Sequence, residues 1–142
     1  MSGDANTEIS FNGLKEISHI EMHLPESGKE GPGTTVTFYC ELLDADGRQI
    51  GKTVEGFGQV YLDPADKRVK ELVTATDELA DGSIFWTGVI DIESIIKGEP
   101  QIARAFGTSG RYRGKVGTRS LTIVGREDAT TTVFTTEISL TD

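Results

Sequence analysis

Apolar and polar residues alternate with a period of two along most of this chain. Ile20, Met22 and Leu24 share one parity, as do Val36, Phe38, Cys40 and Leu42 further on. Val69, Val73, Ala75 and Leu79 share another, with Asp77 among them. Ile84, Trp86, Gly88, Ile90 and Ile92 follow, then Arg119, Leu121 and Ile123, and last Phe134, Ile138 and Leu140. Strict alternation with one apolar face predicts half-buried antiparallel strands. Residues 49–62 stay ambiguous, because Phe57, Gln59 and Tyr61 oppose Gly56, Gly58 and Val60. Residues 92–96 read as one helical turn, and residues 11–17 as a short helix or a flap.

Turn chemistry cuts the chain at residues 25–28, 45–47, 63–66, 80–82, 97–100, 107–110 and 125–128. Asp-Gly pairs and glycine-rich clusters between β-rich runs are hairpin signals. These breaks leave eight strand-like segments with no βαβ pattern. The expected fold is all-β: an eight-stranded antiparallel up-and-down β-barrel over residues 16–142, preceded by a tail or lid over residues 1–15. A sandwich is the alternative, but closure removes both sheet edges and leaves room for side chains or one small ligand.

Composition narrows the function classes. The chain has 142 residues, 36% of them hydrophobic, with 17 glycines and a formal charge of −9. That length gives one domain with a real core. The negative charge argues against nucleic acid and anionic membrane surfaces as partners. No segment reaches the roughly 20 apolar residues that span a bilayer, and the first residues carry no signal-peptide core. The expectation is a cytoplasmic protein. Its single cysteine, Cys40, shares parity with Phe38 and Leu42 and reads as a buried thiol.

Candidate chemistry is sparse. His19, Glu21 and His23 alternate on one face; this is either a metal-ligand pattern or, as preferred here, a solvated face opposite Ile20, Met22 and Leu24. No metal site is expected. No nucleophile elbow, phosphate loop or dinucleotide fingerprint occurs. Arg119 is a permanent charge on the face of Leu121 and Ile123, which is costly unless something requires it there. Asp77 sits inward on its own strand, either as a base with a raised pKa or as the partner of Arg119. Trp86 is core or the wall of a ligand cavity. Gln101, Ala103 and Ala105 share one parity; if they point inward, Ile102 and Phe106 form outer apolar surface suited to a homodimer contact.

The runs at residues 43–51 and 79–82, together with Gly107-Thr108-Ser109-Gly110-Arg111-Tyr112, resemble the spirotetronate and spirotetramate cyclases. These β-barrel enzymes are related in fold to allene oxide cyclases and dirigent proteins. The resemblance runs from about residue 33 to about residue 125, and the Ser-Gly-Arg-Tyr turn with the following Gly-x-Arg strand is its most specific part. It implies a dimeric barrel that uses no cofactor and catalyses an intramolecular [4+2] cycloaddition on a polyketide-derived tetronate or tetramate. By position, it implies pocket residues at Phe38, Val73, Ile92, Ala103, Arg119, Leu121 and Ile123. Val73, Ala103 and Leu121 replace larger aromatics of the family pattern, which implies a roomier or differently shaped cavity and leaves the substrate's identity open.

The chemistry implied needs no nucleophile, metal or proton transfer. Positioning two reacting groups is worth roughly 7–11 kcal/mol in favourable cases. Arg119 is the expected catalytic donor to the substrate carbonyl. Asp77, Trp86 and Gln101 join the other pocket positions as candidate substrate contacts. Phe11, Leu14 and Ile17 are the expected lid. Two other functions stay open: a hetero-[4+2] cyclase forming a tetrahydropyran in a polyether tetronate, and a non-catalytic, dirigent-like barrel that binds a hydrophobic small molecule.

Overall fold

In the computed structural model, which describes residues 8–142, eight strands run in chain order around a closed barrel. They are β1 (Ile9–His23), β2 (Thr35–Leu43), β3 (Gln49–Leu62), β4 (Val69–Leu79), β5 (Gly82–Asp91), β6 (Gln101–Gly110), β7 (Val116–Asp128) and β8 (Thr131–Thr141), with one helical turn, α1 (Ile92–Ile96), between β5 and β6. Every neighbouring pair is antiparallel, and β8 closes on β1 through pairs such as Ile9–Leu140 and Ile17–Val133. No sheet edge is left for another chain to extend.

The start of β1 corrects the expected boundary. Residues 9–15 are strand, not tail, lid or helix: Ile9, Ser10 and Phe11 pair with Leu140, Ser139 and Ile138. The rest of the expected tail, residues 1–7, lies outside the described residues. A bulge hid the strand from the alternation. The register shifts between Phe11 and Leu14, where Gly13 has φ 65°, so inward parity changes from Ile9 and Phe11 to Leu14, Glu16 and Ser18.

The same device resolves the ambiguity in β3. Its register shifts between Val54 and Phe57, where Glu55 has φ 55°. Thr53 points inward before the bulge, and Gly56 and Gly58 after it, leaving Phe57 exposed. The glycine face turns inward because nothing larger fits. A Cβ on Gly56 would lie 2.6 Å from the Phe38 ring, and one on Gly58 would lie 2.0 Å from the Glu71 carboxyl.

The other strands follow their alternation. Val73, Ala75 and Asp77 are buried on β4, Ile84 and Trp86 on β5, Ala103 and Ala105 on β6, and Ile138 and Leu140 on β8. Ile102 is 65% exposed and Ala103 and Ala105 are buried, so β6 turns its small residues inward, the first of the two orientations its sequence allowed. Helix α1 forms where expected. Asp91 caps it by accepting from the Ser94 amide at 3.0 Å, and the Gly98 amide closes it on the Ile95 carbonyl. Its one buried side chain, Ile95, drops into the barrel core.

Candidate functional site

The two ends of the barrel are built differently. At one end the β6–β7 turn folds Tyr112 inward until it is 1% exposed. Its hydroxyl donates to Asp81 at 2.5 Å, and its ring lies 6.3 Å from Phe11. Gly107 is required beneath it, since a Cβ there would lie 1.6 Å from the Tyr112 carbonyl oxygen. Burial and the Asp81 hydrogen bond push the Tyr112 phenol well up. The Ser-Gly-Arg-Tyr turn is therefore a plug. At the opposite end, α1 lies across the opening, and Phe38, Glu71, Ile90, Ile123 and Phe134 form a half-buried ring beneath it.

Between the ends, Arg119 is fully buried. Its Nε donates to Asp77 Oδ2 at 2.7 Å, and its Nη2 reaches Asp77 at 3.2 Å and Glu16 Oε1 at 2.8 Å. The guanidinium lies flat over Trp86, 4.1 Å from the ring centroid. Thr53 and the Trp86 indole N–H also donate to Asp77, while Thr136 and the Cys40 thiol donate to Glu16. Burial alone would lower the Arg119 pKa; Asp77 and Glu16 outweigh it and hold the cation protonated. Burial likewise pushes the Cys40 thiol far up, so it is an inert donor. Only Arg119 Nη1 has no partner in this network.

This cluster settles the alternatives for Asp77. It is the ion-pair partner of Arg119 and accepts from three different side chains. Arg119 itself is enclosed on every side and held by two carboxyl groups, with Nη1 alone uncommitted. Glu16 was missed because the alternation was read only from Ile20 onward. Extended backward, the parity of Ile20 passes through Ser18, Glu16 and Leu14, all buried.

An apolar cavity of about 10 Å³ lies toward the α1 end, lined among others by Val73, Trp86, Gly88, Ile90, Ala103 and Leu121. That volume admits about one water-sized sphere. Of the two cavity shapes inferred from Val73, Ala103 and Leu121, the roomier one is not seen: these residues border a volume of about one water. Gln101 also borders the cavity, but its side-chain oxygen accepts from the Asp91 amide at 2.9 Å, so it fastens the β5–α1 junction. Phe38 meets Trp86 at 6.2 Å between ring centroids. Ile123 packs against the core nearby. Ile92 opens α1, half-buried, and does not line the cavity. A wider open groove of about 370 Å³ runs past Phe38, Ile20 and Thr130.

His19 and His23 point outward, as the solvated reading requires. His19 bonds Glu41 at 2.8 Å and stacks on Tyr39, and His23 lies 3.3 Å from Glu21. Among the described residues no group of three His, Cys, Asp or Glu is arranged to hold a metal. No described helix is long and apolar enough to cross a membrane.

A closed antiparallel barrel with one plugged end and one helix-covered apolar end defines the class. The chain belongs to the allene oxide cyclase barrel-like domain family, whose sequence pattern matches residues 23–138. Among solved structures it is similar to the Diels–Alderase AbmU from Streptomyces koyangensis, at 22% identity and a TM-score of 0.83, over 97% of this chain and 65% of that one. It is also similar to a nonspecific haem-binding cyclase that catalyses [4+2] cycloaddition during neoabyssomicin biosynthesis, at 22% identity and a TM-score of 0.82, over 94% and 66%. A third similar structure is AbnU, an exo-specific intermolecular Diels–Alderase, at 22% identity and a TM-score of 0.80, over 94% and 96%. This chain spans about two thirds of the length of the first two. At this identity the likeness carries the fold. The described interior does not fit a haem: its one thiol, Cys40, is fully buried against Glu16, and both histidines face outward.

Proposed function

We propose that this protein is a cyclase that catalyses a [4+2] cycloaddition of the Diels–Alder type on a linear polyene tetronate or tetramate of polyketide origin, without a cofactor. The observation that carries the reading is the apolar pocket lined by Trp86, Val73, Ala103 and Leu121 on the inside and by Val89 and Ile102 on the outside, beyond the last β5–β6 pair, Thr87 with Arg104. Its walls suit a hydrocarbon chain and offer no nucleophile. Its described relatives in fold include three [4+2] cyclases.

The catalytic contribution of such a site is confinement. A flexible polyene folded so that its diene and dienophile meet loses its conformational freedom on binding rather than in the transition state. Trp86 gives the chamber a rigid wall, and Arg119 positions that wall by lying on its far face and anchoring its indole through Asp77. A cavity of about 10 Å³ admits no polyene, so substrate access requires the wall to open, and α1 with its buried Ile95 is the element we assign to that motion. The strap that holds α1 is the bidentate pair of Arg68 with Asp91, at 2.6 and 2.8 Å. The outer apolar strip, where Leu72 pairs with Val89 and Ile102 stands exposed, is the surface we assign to a homodimer contact.

The test is incubation with a linear polyenyl tetronate. The expected result is an isobaric product with altered retention, formed faster than without protein. Saturable binding with no conversion would instead identify a dirigent-like binding barrel, and a tetrahydropyran product would identify the hetero-cycloaddition.

A further inference from the structure

Glu71 is the one inward carboxyl of the barrel that the buried network does not use. It stands on β4 at the parity of Val73, Ala75 and Asp77, paired across the sheet with Val60 on β3 and Ile90 on β5. Its carboxyl lies over Gly58: a Cβ on Gly58 would come within 2.0 Å of Oε2. The strand opposite is thus cut back to bare backbone where this side chain rests. Val73 and Ile90, its neighbours along and across the sheet, both line the apolar cavity.

No cation or hydrogen-bond donor among the described residues meets this carboxyl. Lys70 turns outward to Asp63 and Asp66, at 2.6 and 2.8 Å. Arg68 is held by Asp91. Glu93 on α1 faces Lys97 and Arg68. On β3, Lys52 is exposed beside Glu78. Arg119, Asp77 and Glu16 bond one another deeper in the barrel. Burial without compensation raises the Glu71 pKa to about 7. The carboxyl is therefore neutral in a large share of molecules near neutral pH, and a neutral carboxyl carries an O–H donor.

We propose that Glu71 is the polar anchor for the substrate, donating a hydrogen bond from its neutral carboxyl to the acidic, enolised head group of a tetronate or tetramate. The inference rests on the cyclase reading for the identity of that head group. Such a head group is a vinylogous acid and binds as an anion. A charged carboxylate beside it is repulsive; a protonated one forms a short, charge-assisted hydrogen bond in a dry setting. An apolar barrel end with a single uncommitted carboxyl supplies that pairing. It also leaves the polyene tail to the cavity formed by Val73, Ala103 and Leu121. Binding of the anion raises the Glu71 pKa further, so complex formation takes up a proton.

The experiment uses the full chain and a 3-acyl tetronate that lacks a diene, which binds without reacting. Trp86, the only tryptophan and part of the cavity wall, reports occupancy by its fluorescence. Glu71→Leu is expected to weaken the probe about tenfold or more, and Glu71→Gln, which keeps a donor, by about threefold or less. Wild-type affinity is expected to fall about tenfold per pH unit above the Glu71 pKa, with Glu71→Gln flat over the same range. Equal affinity of Glu71→Leu and wild type, identical pH profiles of wild type and Glu71→Gln, or no binding of the probe to wild type would each overturn the proposal. If Glu71→Leu does not fold, the two pH profiles decide alone. A protein that binds the probe through Glu71 yet converts no polyene keeps the anchor and loses the cyclase. One that cyclises the polyene at the wild-type rate as Glu71→Leu keeps the cyclase and loses the anchor.

Discussion

The Tyr112 end and the α1 end of this barrel solve one problem in opposite ways. Both must close a cylinder whose strands point residues inward all along its length. At the Tyr112 end an aromatic ring fills the opening, and its single polar atom is matched by Asp81. Glycines at Gly82 and Gly107 make room for it, with a Cβ on either falling within 3 Å of Tyr112 atoms. At the α1 end closure is by a five-residue helix that inserts one side chain, Ile95, and is strapped from outside by Arg68 and Asp91. Beneath it lie a cavity and an unmatched carboxyl, Glu71. The first end is a finished core. The second keeps a small unfilled volume and a carboxyl with no hydrogen-bond partner among the described residues, two features that cost stability and that a ligand would relieve. That difference, more than any single residue, is what supports the proposed site at the α1 end.

The largest effect is expected from the layer that separates the ends. Arg119→Met leaves Asp77 and Glu16 buried without their cation, and removing one partner of a buried charge cluster typically costs about 3–5 kcal/mol. Chemical unfolding is expected to show a loss of that order, together with a red shift and broadening of Trp86 emission as the ring loses its cation partner. A variant as stable as wild type would mean that Arg119 is dispensable to the frame, which would return it to the substrate side. Arg119→Met with Asp77→Leu is expected to recover part of the loss, because it removes an orphaned acid as well.

The second effect is a pH dependence that belongs to one end only. The folded-state pKa of Glu71, about 7, lies above its unfolded value near 4.3. The folded state therefore binds the proton more tightly. The associated stability is fully present below the unfolded pKa and is lost as pH rises through about 7. The shift corresponds to about 4 kcal/mol at most, less whatever water reaches the half-buried carboxyl. Stability curves of wild type and Glu71→Gln, measured from about pH 5 to about pH 8, are expected to diverge upward, with the variant the more stable above neutrality. Parallel curves would mean that Glu71 is solvated and that the α1 end is as finished as the other.

The barrel was legible in the alternation because each strand is wet outside and dry inside, and a period of two survives wherever the strand is regular. It failed at the bulges. Gly13 and Glu55 each shift the register by a residue, and the parity rule then assigns the wrong face or none. That is why β1 read as a flap and β3 as ambiguous. The site was legible in part. Val73, Trp86, Gln101, Ala103 and Leu121 do meet at the cavity, because neighbouring strands put inward residues of similar height side by side. Arg119 was legible as a buried charge but its full set of partners was not, since one strand shows that a charge points inward but not how many carboxyl groups await it. Glu16 lay beyond a parity not traced far enough. Glu71 lay on a parity already traced, between Val69 and Val73, and its isolation becomes visible only when Lys70 and Arg68 are seen turned away from it.

The smallest expected effect completes the contrast. Tyr112→Phe removes one hydrogen bond to a carboxylate that is itself half in water, and such bonds contribute about 1 kcal/mol or less. The ring, which fills the barrel end, stays. Thermal unfolding is therefore expected to shift by a few degrees at most, as about 1 kcal/mol does for a domain of this size. The informative readout is the other end. Tyr112 lies across the buried Arg119 layer from the cavity, and nothing in the packing gives the two ends alternative arrangements to exchange. Probe affinity and the Glu71 pH profile are expected to be unchanged in Tyr112→Phe. A shift in either would show that the plug and the α1 end are coupled through the Trp86 and Arg119 stack, and the barrel would then have to be treated as one deformable chamber rather than as a sealed floor beneath an adjustable mouth.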